Sequence, residues 1–467
     1  MASAVVGFVL SAIFSGTDLD IRHLVEGGFG YFDTILVIVT AMIFIKGLEH
    51  NGALDYISVS LVKLFRKFPT ILILAFMLIL MLPGMITGSS LASVISAGAI
   101  VAPIMKKMGL PKNKVAAIIA FGAILGMIAP PINIPVMVIC DVVDIPYQGF
   151  TIPLLVLTFP LAIFAALYLS RSFRKGEGKT EKNKIETIII LSALGAVLLG
   201  IGIAYLISFS TLLLALLIVF AVFFIAIAAI LIFGKAYSTE IDIEELAKDE
   251  SINFNVTKEL NITVLLPVLL LVILFVGQNI FPQIIGILGT PLLFIAAFVV
   301  TAFVGRKHSS DKSFVEGVKS STSAMGLLIG VGMFVQVMTL TGVRAWFVYN
   351  VISLPSIGQY IAIAVALPVF GGISAFGSAS ILGGPFVMSL LAFNEIVVAS
   401  ALSFFAALGE FLPPTAMSAT FAAKQVGDAD GDVKALSVTK AALIPLLVCL
   451  AYALIFILVI AKKTIWG

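Results

Sequence analysis

The sequence predicts an all-α polytopic membrane protein with about 11 transmembrane helices plus two re-entrant helical hairpins in an inverted-topology repeat. Three observations predict it. Of 467 residues, 61% are hydrophobic and only 11% charged, and the mean hydropathy is +1.18, a composition foreign to soluble globular domains. A structural unit occurs twice along the chain, and basic residues crowd one copy while sparing the other.

Continuous apolar runs able to cross about 30 Å of hydrocarbon cover residues 31–48, 150–170, 186–206, 209–234, 261–281, 285–305, 321–342 and 437–461. The opening "MASAVVGFVLSAIFSG" has no basic segment ahead of it, so it reads as a short first transmembrane helix and not as a cleaved signal. Short alternating segments, the mark of a membrane β-barrel, are not the pattern. The connection at 171–184, "RSFRKGEGKTEKNK", holds six Lys or Arg and is placed in the cytoplasm by the positive-inside rule. Two spans separate it from the acidic connector at 238–254, and two more lead to 306–320, so all three loops share that side. The acidic one reads as a solvated connector. Cys140 and Cys449 lie in apolar surroundings without metal-like spacing and read as packing residues. The formal charge of +3 carries no sign of a nucleic-acid partner.

The repeat is visible by direct comparison. Phe44 and Gly52 match Phe334 and Gly342, each 290 positions later; Pro83 matches Pro368 and Pro130-Pro131 match Pro413-Pro414, at offsets of 285 and 283. Between Asn51 and Pro130 the first copy carries seven basic residues, whereas Ala345 to Ala423 of the second holds none. Equivalent segments therefore face opposite sides, as in many secondary transporters. The organisation follows: a first repeat over 1–185 (hairpin 69–105, broken helix 112–142), connecting scaffold helices over 186–284, and a second repeat over 285–467 (hairpin 356–392, broken helix 394–425).

Basic residues bracket 69–105 at both ends, so this segment enters, turns and returns. Its tip "PGMITGSS" supplies the turn: Pro83 is expected to end the first arm, Gly84 and Gly88 to take unusual φ/ψ, and Ser89 or Ser90 to cap the returning arm. In "AAIIAFGAILGMIAPPINIPVMVIC" (116–140) a Pro-Pro pair removes two N–H donors and is expected to leave carbonyls near 126–129 without helical partners, with Asn133 beside them. The second copy repeats both devices, with the tip "GGISAFGSAS" (371–380) and the broken span "LSFFAALGEFLPPTAMSATFAA" (402–423), where Thr415 stands for Ile132.

Two tips and two broken helices are expected to converge. Four helix N-termini, each equivalent to about +0.5 charge, would then surround one cavity and favour an anion. Hydroxyl and carbonyl oxygens are hard ligands suited to a coupling Na⁺. The candidate Na⁺ ligands are Thr87, Gly88, Ser89, Gly126, Ala129, Gly372, Ser374, Gly409 and Glu410, and the candidate substrate contacts are Ser90, Asn133, Ser378, Ser380 and Thr415. Glu410, three residues before Pro413, is the only carboxylate expected deep in the membrane, as a proton-coupling site or a cation ligand. No cofactor is expected beyond the coupling ion. An enzyme reading finds no support, because His23, His50 and His308 fall at expected surface positions, no HExxH occurs, and no histidine follows "GGISAFG" to serve as a base. A channel would need a continuous pore instead of a central site closed from each side in turn.

The run "TGSSLASVISAGAIVAPIMKKMGLPKNKVAAIIAFGAILGMIAPPINIP" (87–135) resembles the large membrane subunit of TRAP transporters, within the ion transporter superfamily that also holds the divalent anion/sodium symporters. The matching features are Gly88-Ser89, Met105-Lys106, Gly109, the Ala/Gly-rich helix 116–129 and Pro130-Pro131, with a weaker match over 367–427. Neither tip carries the Ser-Asn-Thr of the divalent anion symporters, and Thr415-Ala416-Met417 stands where the TRAP pattern more commonly has Val-Gly-Leu. The resemblance implies an elevator-type, Na⁺-driven carrier of organic acids of the carboxylate or dicarboxylate class, with arm helices at 53–68 and 343–354 linking a mobile domain to a scaffold. It implies a multi-pass protein of the prokaryotic inner membrane whose ion and substrate sites are formed by tip and Pro-Pro residues. The expected partners are membrane lipid, a small organic anion, a second copy as a candidate homodimer, and a TRAP small membrane subunit with an extracytoplasmic binding protein. A proton-coupled carrier using Glu410, and a permease subunit that depends on those partners, stand as the alternatives.

Overall fold

The computed structural model describes residues 21–65, 68–170, 260–280, 288–306, 309–427 and 433–461, with a few isolated positions besides. The expected N-terminal helix, the spans at 186–206 and 209–234, and the connectors at 171–184 and 238–254 lie outside the described residues, isolated positions apart. Among the described residues the regular structure is helical, with no strand.

In the first half these are α1 (Ile21–Phe29), α2 (Phe32–His50), α3 (Ala53–Phe65), α4 (Pro69–Thr87), α5 (Ser90–Ile95), α6 (Ala97–Lys107), α7 (Lys112–Ile128), α8 (Ile134–Val143) and α9 (Thr151–Ser170). The second half has α10 (Leu266–Ile280), α11 (Gly289–Thr301), α12 (Ser310–Leu340), α13 (Val343–Ser353), α14 (Ser356–Gly371), α15 (Ala375–Ser378), α16 (Gly384–Ser389), α17 (Glu395–Leu408), α18 (Met417–Val426) and α19 (Ala435–Ile460). Four of them, α4, α9, α12 and α19, are singly long and apolar enough to cross a membrane, and α1 with α2, bent by 42° at their junction, makes a fifth such unit.

Local structure agrees between the two copies where their residues match. Gly52 before α3 and Gly342 before α13 both take left-handed backbone, at φ 86° and 72°, a conformation that glycine alone adopts without steric cost. Pro83 lies inside α4 and Pro368 inside α14. Both Pro-Pro pairs contain a cis peptide.

Small residues explain how the helices approach. The segment 115–128 of α7 is buried throughout, and its Ala/Gly-rich surface lets α4, α5, α9, α18 and α19 pack around it. A methyl added at Gly126 would collide with the Met81 carbonyl of α4. The corresponding helix α17, buried over 397–408, packs against α14, α8, α9 and α19. The broken helices pair crosswise: α7 lies against α18, and α17 against α8. A second group forms around α12, which runs along α2 and α1, with α11 on the other side of α2. At its crossings Gly332 meets the Gly27 carbonyl, and Gly317 faces the backbone of Ile43.

Those crossings make a direct test. A methyl at Gly317 would sit 2.5 Å from the Ile43 Cα, whereas one at Gly326 of the same helix meets nothing within 4 Å. Gly317→Ala is expected to destabilise by about 1–3 kcal/mol through forced separation of α2 and α12. Gly326→Ala is expected to be neutral or to stabilise by about 0.5–1 kcal/mol through helix propensity. Thermal unfolding of the purified variants in detergent should therefore show a lower midpoint for the first only.

Candidate functional site

Each hairpin turn is built from a left-handed or tight stop followed by a serine cap. The expectation that Pro83 ends the first arm is corrected: α4 continues through Pro83 to Thr87. Proline removes one donor from a helix, and the remaining turn is held by the Thr87 hydroxyl, which donates to the Pro83 carbonyl at 2.7 Å. The stop falls at Gly88, φ 63°, whose N–H donates to the Gly84 carbonyl at 2.7 Å. Ser89 then caps α5, its Oγ accepting from the Ala92 N–H. The returning arm, expected as one helix, is divided at Ser96, whose hydroxyl donates to the Ala92 carbonyl at 2.6 Å. In the second copy α14 runs through Pro368 to Gly371, and Ser374 caps α15 by accepting from the Gly377 N–H at 3.1 Å. The returning arm there is also divided, by a π-helical turn over Ala379–Gly383.

The Pro-Pro breaks are bonded to these tips. At the first, Ile132 N–H donates to the Met85 carbonyl at 3.2 Å. At the second, the Thr415 N–H and hydroxyl both donate to the Gly372 carbonyl, at 3.1 and 2.7 Å. Of the carbonyls over 126–129 expected to lack helical partners, Ile128 accepts from the Asn133 side chain, Nδ2 at 2.9 Å, whereas Gly126 corrects the expectation by accepting from the Ala129 N–H at 3.2 Å. Asn133 also caps α8 by accepting from the Val136 N–H, and its Nδ2 reaches Ser403 Oγ at 3.1 Å. Tyr147 closes the same break, donating to the Pro131 carbonyl at 2.9 Å and accepting from the Asn133 N–H at 3.1 Å.

The two copies meet at Glu410. This carboxyl is 6% exposed, and its Oε2 accepts from the Ser90 hydroxyl of the first tip at 2.6 Å and from the Ser418 hydroxyl of α18. A cavity of about 200 Å³ opens beside it, lined by Ser89, Ser90, Ser374, Glu410 and Thr415 on one wall and by Lys46, Glu49, Ser320 and Ser323 of α2 and α12 on the other. The N-terminal ends of α5, α15 and α18 reach this cavity. That is three of the four expected, because the start of α8 at Asn133 is not part of the lining.

Several sequence candidates therefore stand apart from the cavity. Ser378 donates to the Leu367 carbonyl at 2.7 Å, and Ser380 shares a hydrogen bond of 2.5 Å with the Tyr31 hydroxyl. Thr87, Gly88, Gly126, Ala129, Gly372 and Gly409 hold the tips and breaks together without lining the cavity. Glu410 is also not the only carboxylate there, since Glu49 shares the cavity and pairs with Lys46 at 2.5 Å. Lys46 lies inside the apolar run 31–48 and Glu49 one residue beyond it, and neither was expected to have a role in the site. Ser418 was missed too, although serine one residue into a half-helix is a usable signal. His50, expected at the surface, is half-buried against α12, with Ser313 Oγ at 2.7 Å and Glu316 Oε2 at 3.1 Å; His308 lies outside the described residues. Cys140 and Cys449 are both buried and unpaired.

Among the described residues no three His, Cys, Asp or Glu side chains converge as a soft-metal site would require. The donors at the junction are hydroxyl, carbonyl and carboxyl oxygens. A family model described as "Tripartite ATP-independent periplasmic transporter, DctM component" matches residues 1–462. No curated protein matches the chain.

Two outcomes test the junction. Hydrogen bonds to a buried carboxyl contribute about 1.5–3 kcal/mol when it is charged, so Ser90→Ala and Ser418→Ala should each lower the thermal midpoint. With Glu410→Ala in the background, the added effect of Ser90→Ala should shrink, giving a coupling of about 0.5–3 kcal/mol in a double-mutant cycle. Ala416, at φ 41° before α18, holds a left-handed conformation that disfavours a side chain. Ala416→Gly is expected to raise stability by about 1 kcal/mol through relief of that strain.

Proposed function

From the premise that this chain belongs to the DctM family, the large membrane component of TRAP transporters, we propose that it is a Na⁺-coupled, elevator-type carrier of a small organic anion of the carboxylate class. It is a TRAP-type secondary transporter component and not a member of an enzyme family. The observation that carries the finer reading is the Glu410 junction, where one tip and one broken helix from opposite copies share hydrogen bonds beside a cavity.

Anion preference follows from three helix N-termini and several hydroxyls at one wall. Na⁺ coupling follows from the hard oxygen donors close by, since a cation and an anion held together offset each other's desolvation. The elevator reading rests on the two packing groups: hairpins and broken helices form one body, and α1, α2, α11 and α12 the other, with the cavity between them. The crosswise pairing of α7 with α18 and of α17 with α8 supports an inverted repeat. In a prokaryotic inner membrane the chain would work with a small membrane subunit and an extracytoplasmic binding protein that delivers the substrate. Proton coupling through Glu410 is the second reading, favoured by the burial of that carboxyl between two serines, with no cationic partner among the described residues.

Uptake of radiolabelled carboxylates into proteoliposomes carrying the assembled complex checks this. Transport should require an inward Na⁺ gradient, and Glu410→Gln should leave the remaining uptake Na⁺-dependent. Uptake driven by a pH gradient without Na⁺, and uncoupled by Glu410→Gln, would overturn Na⁺ coupling in favour of protons. For the repeat, single cysteines at Lys107 and Ala392 in a cysteine-free background should label from opposite faces of the membrane. Labelling from one face rejects the inverted repeat.

A further inference from the structure

Lys46 and Glu49 have no part in the tip and break machinery, yet they occupy its cavity. Both residues line the central cavity and also a second one of about 200 Å³, bounded by Leu54, Asp55, Ile95 and Ser96. Their side chains are 21% and 24% exposed, and with Ile95 they line both cavities. Lys46 is the one cation among the described residues that line the central cavity.

We propose that Lys46 is a substrate-binding residue, supplied by the opposite wall from the hairpin tips, that holds one carboxylate of the transported anion while Glu49 positions its ammonium group. The inference rests on the proposed carriage of carboxylates. An ionisable pair within an apolar helix is costly unless it faces a polar space or serves a function, and this pair faces the cavity. A lysine ammonium has three donors. Glu49 takes one of them at 2.5 Å, and the others are available to an anion in the cavity. Such an ammonium–carboxylate hydrogen bond is roughly twice as strong as a neutral one. The far wall presents Ser90, Ser374, Thr415 and the helix ends. An anion with a carboxylate at one end and polar or charged groups at the other satisfies both walls, which favours dicarboxylates and hydroxy acids over simple fatty acids. Because α2 and the tips belong to different packing groups, a relative shift of the groups would withdraw Lys46 from the anion and leave it with Glu49 alone, weakening the hold on the substrate.

The test uses the assembled complex in proteoliposomes with succinate, malate, lactate, pyruvate and gluconate, the best-transported acid then serving as the probe. Lys46→Met should raise the KM for that probe by about tenfold or more, a loss expected for one charge-assisted contact, and Lys46→Arg should recover most of it. Glu49→Gln, which keeps an acceptor but removes a negative charge from the cavity, should lower the KM. Opposite signs for the two variants establish an anion contact. Equal rises in KM, or unchanged KM with reduced kcat in both, identify the pair as structural and overturn the proposal. If Lys46→Met does not fold, the sign of the Glu49→Gln shift decides alone. Absence of carboxylate uptake by the wild-type complex overturns the transport reading together with this one, whereas normal wild-type uptake with an unaltered Lys46→Met variant overturns this one only.

Discussion

The carboxyl of Glu410 joins the two halves of the molecule beside the cavity. It sits on the 3₁₀ turn Gly409–Phe411 that ends the buried helix α17, and its Oε2 accepts hydroxyls from α5 of the first copy and α18 of the second. A carboxyl in an apolar interior is tolerated only when its oxygens find donors. Meeting that requirement brings Ser90 and Ser418 to one atom, and with them the ends of a hairpin and a half-helix. The cavity lies against this junction because the same turns that satisfy Glu410 leave helix ends without side-chain filling.

The rest of the site follows from the need to satisfy backbone where helices stop. Lipid provides no hydrogen-bond partners, so irregular backbone persists only where protein or a polar cavity replaces water. Each break uses its neighbouring tip for this purpose, Met85 for Ile132 and Gly372 for Thr415. Side chains supply what remains: Asn133 serves two segments at once, and Tyr147 both donates and accepts across the first Pro-Pro pair. Breaks bonded in this way hold a defined shape, which a binding site formed from helix ends needs.

Between the two packing groups the contacts are of another kind. They include side-chain hydrogen bonds: the Tyr31 hydroxyl with Ser380, and the Thr34 hydroxyl donating to Asp141 at 3.3 Å. Hydrogen bonds of this sort are individually modest, unlike the interlocked glycine crossings inside each group. The cavity occupies this more separable boundary, with hydroxyls and helix ends from one side and a charged pair from the other.

Membrane character and the four helix interruptions were legible in the sequence because they depend on composition and on Pro and Gly, whose backbone restrictions act locally. A serine cap on the first returning arm, expected at Ser89 or Ser90 and found at Ser89, was legible for the same reason. The exact helix stops were not, since Pro83 and Pro368 lack one donor each but sit in helices whose packing tolerates that loss. Which polar groups share a cavity was a matter of tertiary structure alone. Ser90 and Glu410 are 320 positions apart, and no periodicity relates them. Asn133 at a break and Ser378 and Ser380 at a tip look like site residues of equal standing, yet packing turns them toward Ser403, the Leu367 carbonyl and Tyr31. That Lys46 and Glu49 share the cavity depends on where α2 packs. Local chemistry determined where the chain breaks; only the packing of distant helices decided which broken ends face one another.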